Sequence, residues 1–162
     1  MKQLLVAAAL LSAGQLFSQI NAHFLSNPCL TPDGQTVIFA FEGDLWKASI
    51  SDGQATRLTA MQGYETSPRV SPDGQWIAFT GRQFGNGDVY VMGVNGGEVK
   101  QVTWHSSNDE VTSWSWDSKY IYFNSGRMGQ IAGYKVEAGG GTARRVFGNY
   151  FFQYDHNLVE HP

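Results

Sequence analysis

Apolar and polar positions alternate in short runs, and the runs recur. Thr36-Val37-Ile38-Phe39-Ala40-Phe41, Trp76-Ile77-Ala78-Phe79 and Tyr120-Ile121-Tyr122-Phe123 each carry a two-residue apolar period. Such a period predicts a half-buried β-strand. After residue 22 no stretch between glycines holds a 3.6-residue period, so helices are not expected. Each run follows a turn signal. Thr31-Pro32-Asp33-Gly34 precedes the first, Ser71-Pro72-Asp73-Gly74 the second, and the altered Ser115-Trp116-Asp117-Ser118 the third. Pro pre-sets φ, Asp bonds the local backbone, and Gly accepts a positive φ, so these segments predict tight turns.

The spacing between these signals defines a repeat. The turns lie 40 and then 44 residues apart. Asp44-Leu45-Trp46, Asp88-Val89-Tyr90 and Ala132-Gly133-Tyr134 share one register, followed at equal distance by Gly53, Gly97 and Gly141 and then by Leu58, Val102 and Val146. Thr59 and Thr103 close the first two units. Unit one is four residues shorter, all lost between its second and third strands. Four antiparallel strands at a period near 40 predict an all-β chain, a β-propeller of four-stranded blades. The expected blades are about residues 23–59, 63–103 and 107–147, with the start of a fourth at 148–162. Rings of this kind need at least four blades, so a partial ring and the N-terminal part of a longer protein are expected.

Residues 1–22 read differently. Lys2, the apolar run Leu4 to Leu11 and the small residues after it have the layout of a secretory signal peptide. A buried helix is the alternative, and the lone Lys with no acid argues against it. The run is too short for a membrane span. An exported protein, periplasmic or secreted, is therefore expected.

Composition agrees with a compact β-protein: 19 glycines and 14% aromatic residues in 162 residues. Formal net charge is −3, which argues against a nucleic-acid partner. The single cysteine, Cys29, excludes an internal disulfide and reads as a small buried thiol. No Gly-x-Ser-x-Gly, HExxH or phosphate-binding loop occurs. Ser125 reads as a hydrogen-bonded turn residue at a strand end. His156 with Asp155, Glu160 and His161, or His105 with Asp109 and Glu110, are weak metal candidates, because zinc sites need three or four converging ligands. His23 stands apart from both. Trp46, Tyr90 and Tyr134 recur at one register, as packing between blades requires. Trp76 and Trp114 flank strands, and Tyr150-Phe151-Phe152 with Tyr154 reads as a fourth-blade strand. Arg82, Gln83, Phe84 and Asn86 lie in the longer second hairpin loop, the best place for binding outside the core. No catalytic, metal or cofactor residue is assigned.

These residues resemble the N-terminal propeller of the tricorn-type serine peptidases. The resemblance rests on Phe41-Glu42-Gly43-Asp44-Leu45-Trp46, Ala55-Thr56-Arg57-Leu58-Thr59, Ser67 through Gly81 (SPRVSPDGQWIAFTG), Asp88-Val89-Tyr90-Val91-Met92 and Gly96-Gly97-Glu98. It covers about residues 23–147. The Pro-Asp-Gly turn itself is shared with TolB-like propellers. Two positions depart from the pattern: Ser51-Asp52-Gly53-Gln54 has one Gly where two are usual, which could open that hairpin, and Trp116-Asp117-Ser118 replaces Pro-Asp-Gly. The resemblance implies a propeller that guides peptides to or from a separate catalytic module, with the further blades and that module as its partners. A TolB-like protein-binding propeller, or the propeller of a prolyl-oligopeptidase or amidohydrolase relative, are the alternatives.

Overall fold

The repeated Ser/Thr-x-Asp turn builds the same corner three times. The computed structural model describes residues 25–147. In it Thr31, Ser71 and Ser115 each donate a hydroxyl hydrogen bond to the Oδ1 of Asp33, Asp73 and Asp117, at 2.6, 2.5 and 2.7 Å. Each hydroxyl oxygen also accepts the backbone N–H of Thr36, Trp76 or Tyr120, at 3.0, 2.9 and 2.8 Å. Each Asp Oδ1 accepts the N–H two residues on. The turn therefore satisfies its own donors before the next strand begins. The fourth position needs a left-handed backbone: Gly34 has φ 70° and Gly74 φ 71°. Ser118 adopts φ 60° in their place, closing the same turn through its N–H on the Ser115 carbonyl at 2.9 Å. Its hydroxyl also accepts the N–H of Asp73 in the preceding unit at 3.1 Å, a link that glycine cannot make.

Each corner joins the first two strands of a four-stranded antiparallel sheet. The first sheet holds β1 (Ser26–Leu30), β2 (Thr36–Phe41), β3 (Asp44–Ser49) and β4 (Ala55–Arg57). The second holds β5 (Glu65–Val70), β6 (Trp76–Phe84), β7 (Asn86–Gly93) and β8 (Lys100–Gln101). The third holds β9 (Asp109–Trp114), β10 (Tyr120–Ser125), β11 (Ala132–Glu137) and β12 (Arg144–Phe147). No helix occurs among the described residues. The fold is all-β, and the three sheets are propeller blades. The expected leader and the expected fourth-blade strand lie outside the described residues.

The four-residue difference falls where the sequence puts it. β2 and β3 are joined by Glu42 and Gly43 alone, at φ 51° and 91°, the doubly left-handed two-residue turn that matches strand twist. The β3–β4 hairpin stays closed with its single glycine. Ser49 donates its N–H to the Gln54 carbonyl at 3.1 Å, and Gly53, at φ 69°, donates to the Ser49 carbonyl at 3.0 Å.

Strand alternation assigns the two faces of each blade. In β6, Ile77 and Phe79 face blade one, where they join Ile38, Ala40, Leu45, Tyr90 and Met92 in one buried cluster. Ala78 of the same strand faces blade three, joining Val89, Val91, Val102, Val111, Trp114, Ile121 and Phe123. The core is thus a pair of interfaces between blades, as repeat architecture dictates. The shared aromatic register packs as expected at Tyr90 and Tyr134, which stack on Phe79 and Phe123 with centroids 5.7 and 5.8 Å apart. Trp46 is only half-buried and meets Phe41 edge-on at 6.0 Å, because no described blade covers its face. Trp114 is buried and its Nε1–H donates to the Arg69 carbonyl across the blades at 2.9 Å, whereas Trp76 at the head of β6 is 44% exposed.

The connection from β4 to β5 is fitted closely to blade two. Gly63 has φ 91°, and a Cβ there would lie 2.5 Å from the Arg82 carbonyl oxygen. Gly63→Ala is expected to cost ~3 kcal/mol, because backbone strain and a rigid clash add. Urea unfolding checks this, and an unchanged midpoint would show that the connection can shift aside.

Candidate functional site

The end of the blades that carries the β2–β3, β6–β7 and β10–β11 hairpins gathers most of the buried charge. Position by position, the repeat aligns Leu25, just before β1, with Glu65 and Asp109, the first residues of β5 and β9. Leu25 is exposed, whereas Glu65 and Asp109 are fully buried. Each buried carboxylate is held by a residue from the longer hairpin of its own blade. Gln83 donates its amide to Glu65 Oε1 at 3.1 Å, and Arg127, at the same register, pairs with Asp109 Oδ2 at 2.5 Å. Thr59, from the end of blade one, donates to Glu65 Oε2 at 2.8 Å while its hydroxyl accepts the Leu45 N–H at 2.8 Å. Thr103 repeats this, accepting the Val89 N–H at 2.9 Å, but its hydroxyl reaches Asp88 Oδ1 at 3.4 Å instead. Asp44 pairs with Arg57 at 2.7 Å, and Asp88 takes the neutral amide of Gln101 at 3.1 Å. Unit three has Ala132 and Phe147 at the Asp and Thr positions, so this clasp ends with blade two.

The segment expected as a longer hairpin loop is instead extended strand almost to its tip, with Arg82, Gln83 and Phe84 in β6 and Asn86 in β7 because strand pairing continues to Phe84–Asn86, and its side chains divide their labour. Gln83 turns inward to Glu65, and Asn86 donates to the His105 carbonyl at 2.7 Å. Arg82 donates to Asn108 Oδ1 at 3.1 Å. Phe84 at the tip is 77% exposed. Ser125 ends β10 and accepts the Arg127 Nε–H at 3.1 Å, a structural hydroxyl at a turn. His105 is used locally: its Nδ1 accepts the Ser107 N–H at 3.0 Å and its own N–H donates to Asp88 Oδ1 at 3.3 Å. Among the described residues no three His, Cys, Asp or Glu side chains are placed to hold a metal. His23, Asp155, His156, Glu160 and His161 lie outside them. Cys29 is half-buried against the first core cluster, and burial raises its thiol above the ordinary range, against smaller opposing effects of the Val70 backbone and Arg69.

Burial also raises the carboxyls of Glu65 and Asp88 above their ordinary values of 4.5 and 3.8, and hydrogen bonds from Thr59 and His105 only partly oppose it. Asp88 and Glu65 in turn add to the burial that pushes the Tyr90 phenol up to about 12. A raised folded-state pKa means that the native state binds the proton more tightly than the unfolded chain does. Stability therefore falls as pH rises from 4.5 through the raised values, and it is regained on acidification. The turn carboxyls act oppositely. The Ser115 hydroxyl above all holds Asp117 down to about 2, and Thr31 lowers Asp33, so their contribution is lost below pH 3.8. Melting temperature is expected to be higher near pH 5 than at pH 7.5, and Glu65→Gln should flatten that difference. A wild-type melting temperature that rises toward pH 7.5 would refute it.

Sequence reasoning did not single out Glu65 and weighed Asp109 only as a weak metal candidate beside His105 and Glu110, since Leu25, Glu65 and Asp109 share no letter. The signal was in the register: Gln83 and Arg127 lie 44 residues apart, as do Glu65 and Asp109.

Comparison with known proteins gives a consistent answer. Residues 22–155 match the family model of the tricorn protease N-terminal beta propeller domain. Tricorn protease homolog 1 of Streptomyces coelicolor is 36% identical over 91 residues, covering 56% of this chain and 8% of that protein. A Tricorn-like protease N-terminal subunit of Sulfurisphaera tokodaii is 31% identical over 127 residues, covering 72% of this chain and 64% of its own length. The chain thus spans less than two thirds of either relative. Among solved structures, TolB from Acinetobacter baumannii superposes with a TM-score of 0.65 at 25% identity, over 75% of this chain and 31% of that one. The tricorn protease superposes with a TM-score of 0.59 at 15% identity, over 70% and 13%, a likeness of fold. The three blades, their shared corner and the match over residues 22–155 place this chain in the tricorn N-terminal β-propeller family.

Proposed function

We propose that this chain serves as a non-catalytic propeller segment of an exported tricorn-like serine peptidase and guides peptides to or from a catalytic module. Residues 1–22 act as its export leader, and residues 148–162 begin a fourth blade. The family match over residues 22–155 carries the reading. The absence of a nucleophile-elbow sequence in the chain supports it. Among the described residues no helix is long and apolar enough to cross a membrane. Purified residues 23–162 are expected to release nothing from casein above buffer. In the parent polypeptide, deleting these residues should raise KM for long peptides while kcat on a short chromogenic substrate stays within about twofold, the pattern of lost uniform binding. Casein cleavage by the isolated segment that one Ser→Ala change abolishes would overturn the proposal.

The TolB superposition favours a second reading, a propeller that docks partner proteins. A protease module in the reading frame after codon 162 supports the first reading. A stop codon after a single ring supports the second.

A further inference from the structure

One groove recurs at the corner end of the blades, on the side of each blade that faces its successor. In blade one Thr36 and Lys47 line it, and Asn95 of blade two reaches it from the far side. In blade two Trp76 and Val91 take those places, Gly139 of blade three stands opposite, and the groove holds about 580 Å3. Blade three presents the same wall with Tyr120 and Lys135. Strand pairing puts both wall residues on one face. Trp76 and Ala78 are two residues apart in β6, Ala78 pairs with Val91, and both Ala78 and Val91 belong to the cluster between blades two and three.

The three walls differ in charge. In blade one the Lys47 ammonium donates across the groove to Asn95 Oδ1 at 3.3 Å. In blade three the Lys135 ammonium lies 4.6 Å from the centroid of the Tyr120 ring. Blade two has Val91 at this register, and no cation among the described residues lies over Trp76. Its ring is an indole, the side chain that attracts cations best, and it is 44% exposed. Trp76 pairs with Gly93, which brings no side chain beside it. Blade two also carries the acid of the set: Gln54, Glu98 and Thr142 share one register, and each lines its own groove. Glu98 is exposed and forms no ion pair among the described residues. Lys100 leaves the ring open, because its ammonium donates to the Gly139 carbonyl on the opposite wall. In blade three Arg144, at the register of Lys100, pairs with Lys135 in the ladder, and Lys135 still lies over Tyr120. Blade two thus keeps the aromatic face, lacks the internal ammonium and adds a carboxylate.

We propose that the groove between blades two and three binds a lysine side chain of a peptide, its ammonium over the Trp76 indole with Glu98 as countercharge, in the place that Lys135 fills for blade three. The proposal rests on the peptide-guiding function above and names the side chain that is held. The test is calorimetric titration of the full polypeptide that carries this chain, with any peptidase serine first blocked by an organophosphate. Three probes are compared: acetyl-Ala-Lys-Ala amide, the same peptide with norleucine in place of lysine, and butylammonium chloride. The lysine peptide is expected to bind about tenfold tighter than the norleucine peptide, which has an apolar chain of similar length and no charge. Trp76→Leu should abolish that preference, and Trp76→Phe should keep part of it. Val91→Lys supplies the ammonium from within, as Lys135 does, and should abolish binding of the lysine peptide. Glu98→Gln, at an exposed position, keeps the test open if Val91→Lys fails to fold, and should weaken the lysine peptide about threefold. Equal binding of the two peptides, or a preference that survives Trp76→Leu, overturns the lysine site and leaves peptide guiding standing. Binding of butylammonium alone, lost in Val91→Lys, overturns the peptide as occupant and peptide guiding with it. No binding of any probe overturns the proposal.

Discussion

Light scattering of the isolated 162-residue chain is expected to show oligomers or aggregate, and restoring the neighbouring blades is expected to return a monodisperse, cooperatively melting protein. The cause lies in blade one. Its register equivalents of the buried Ile77, Phe79 and Tyr90 are Val37, Phe39 and Trp46; Phe39 is buried, but Val37 and Trp46 are only half-buried. Leu25, just before β1, and Leu30, at its end, are 48% and 53% exposed, whereas their counterparts in blade three, Asp109 and Trp114, are buried. A contiguous apolar face of a few hundred Å2 recruits partners. At ~25 cal/mol per Å2, covering each 100 Å2 of it stabilises by about 2.5 kcal/mol, so self-association has a substantial driving force. Leu25→Glu combined with Leu30→Lys should shift the isolated chain toward monomer, because both positions are half-exposed already. A wild-type segment that sediments as a monomer and melts cooperatively would show that blade one needs no neighbour.

The architecture was legible because local chemistry and long-range packing obey one period here. The Ser/Thr-x-Asp corner satisfies its hydrogen bonds within six residues, so it leaves a local signature even where Trp116 and Ser118 replace Pro and Gly. The aromatics at Tyr90 and Tyr134 follow the same register because each packs between blades. What stayed hidden depends on partners distant in sequence. Trp46 carries the core register, yet its burial depends on a neighbouring blade. Glu65 and Asp109 look like solvated acids at strand starts. Only the fold brings Gln83 back by 18 residues onto Glu65, and Arg127 back by the same 18 onto Asp109. The segment with Arg82, Gln83 and Asn86 read as a binding loop, yet it is strand almost to its tip, and those side chains are spent on Glu65 within blade two and on the connection to blade three.

Arg127→Met is expected to destabilise the protein more than any other single change at this end of the blades. Asp109 is fully buried, and the Arg127 side chain is 15% exposed, so solvent screens the pair poorly. The guanidinium also lies 5.2 Å from the centroid of the Phe123 ring and 4.9 Å from that of Tyr134, the stacked pair at the blade-two interface. Removing one partner of a buried pair leaves an uncompensated charge and typically costs 3–5 kcal/mol, so a fall in melting temperature of roughly 10 °C or more is expected. The double variant Asp109→Asn, Arg127→Met should recover most of that loss, because a neutral amide leaves no buried charge behind. Gln83→Ala in blade two should cost only about 1–2 kcal/mol, since Gln83 is neutral and Glu65 keeps the Thr59 hydroxyl. Differential scanning calorimetry of the four proteins separates these cases. If Arg127→Met melts within about 2 °C of wild type, or if the double variant is no better than the single one, the hairpin end of blade three is held by its apolar contacts and the ion pair adds little.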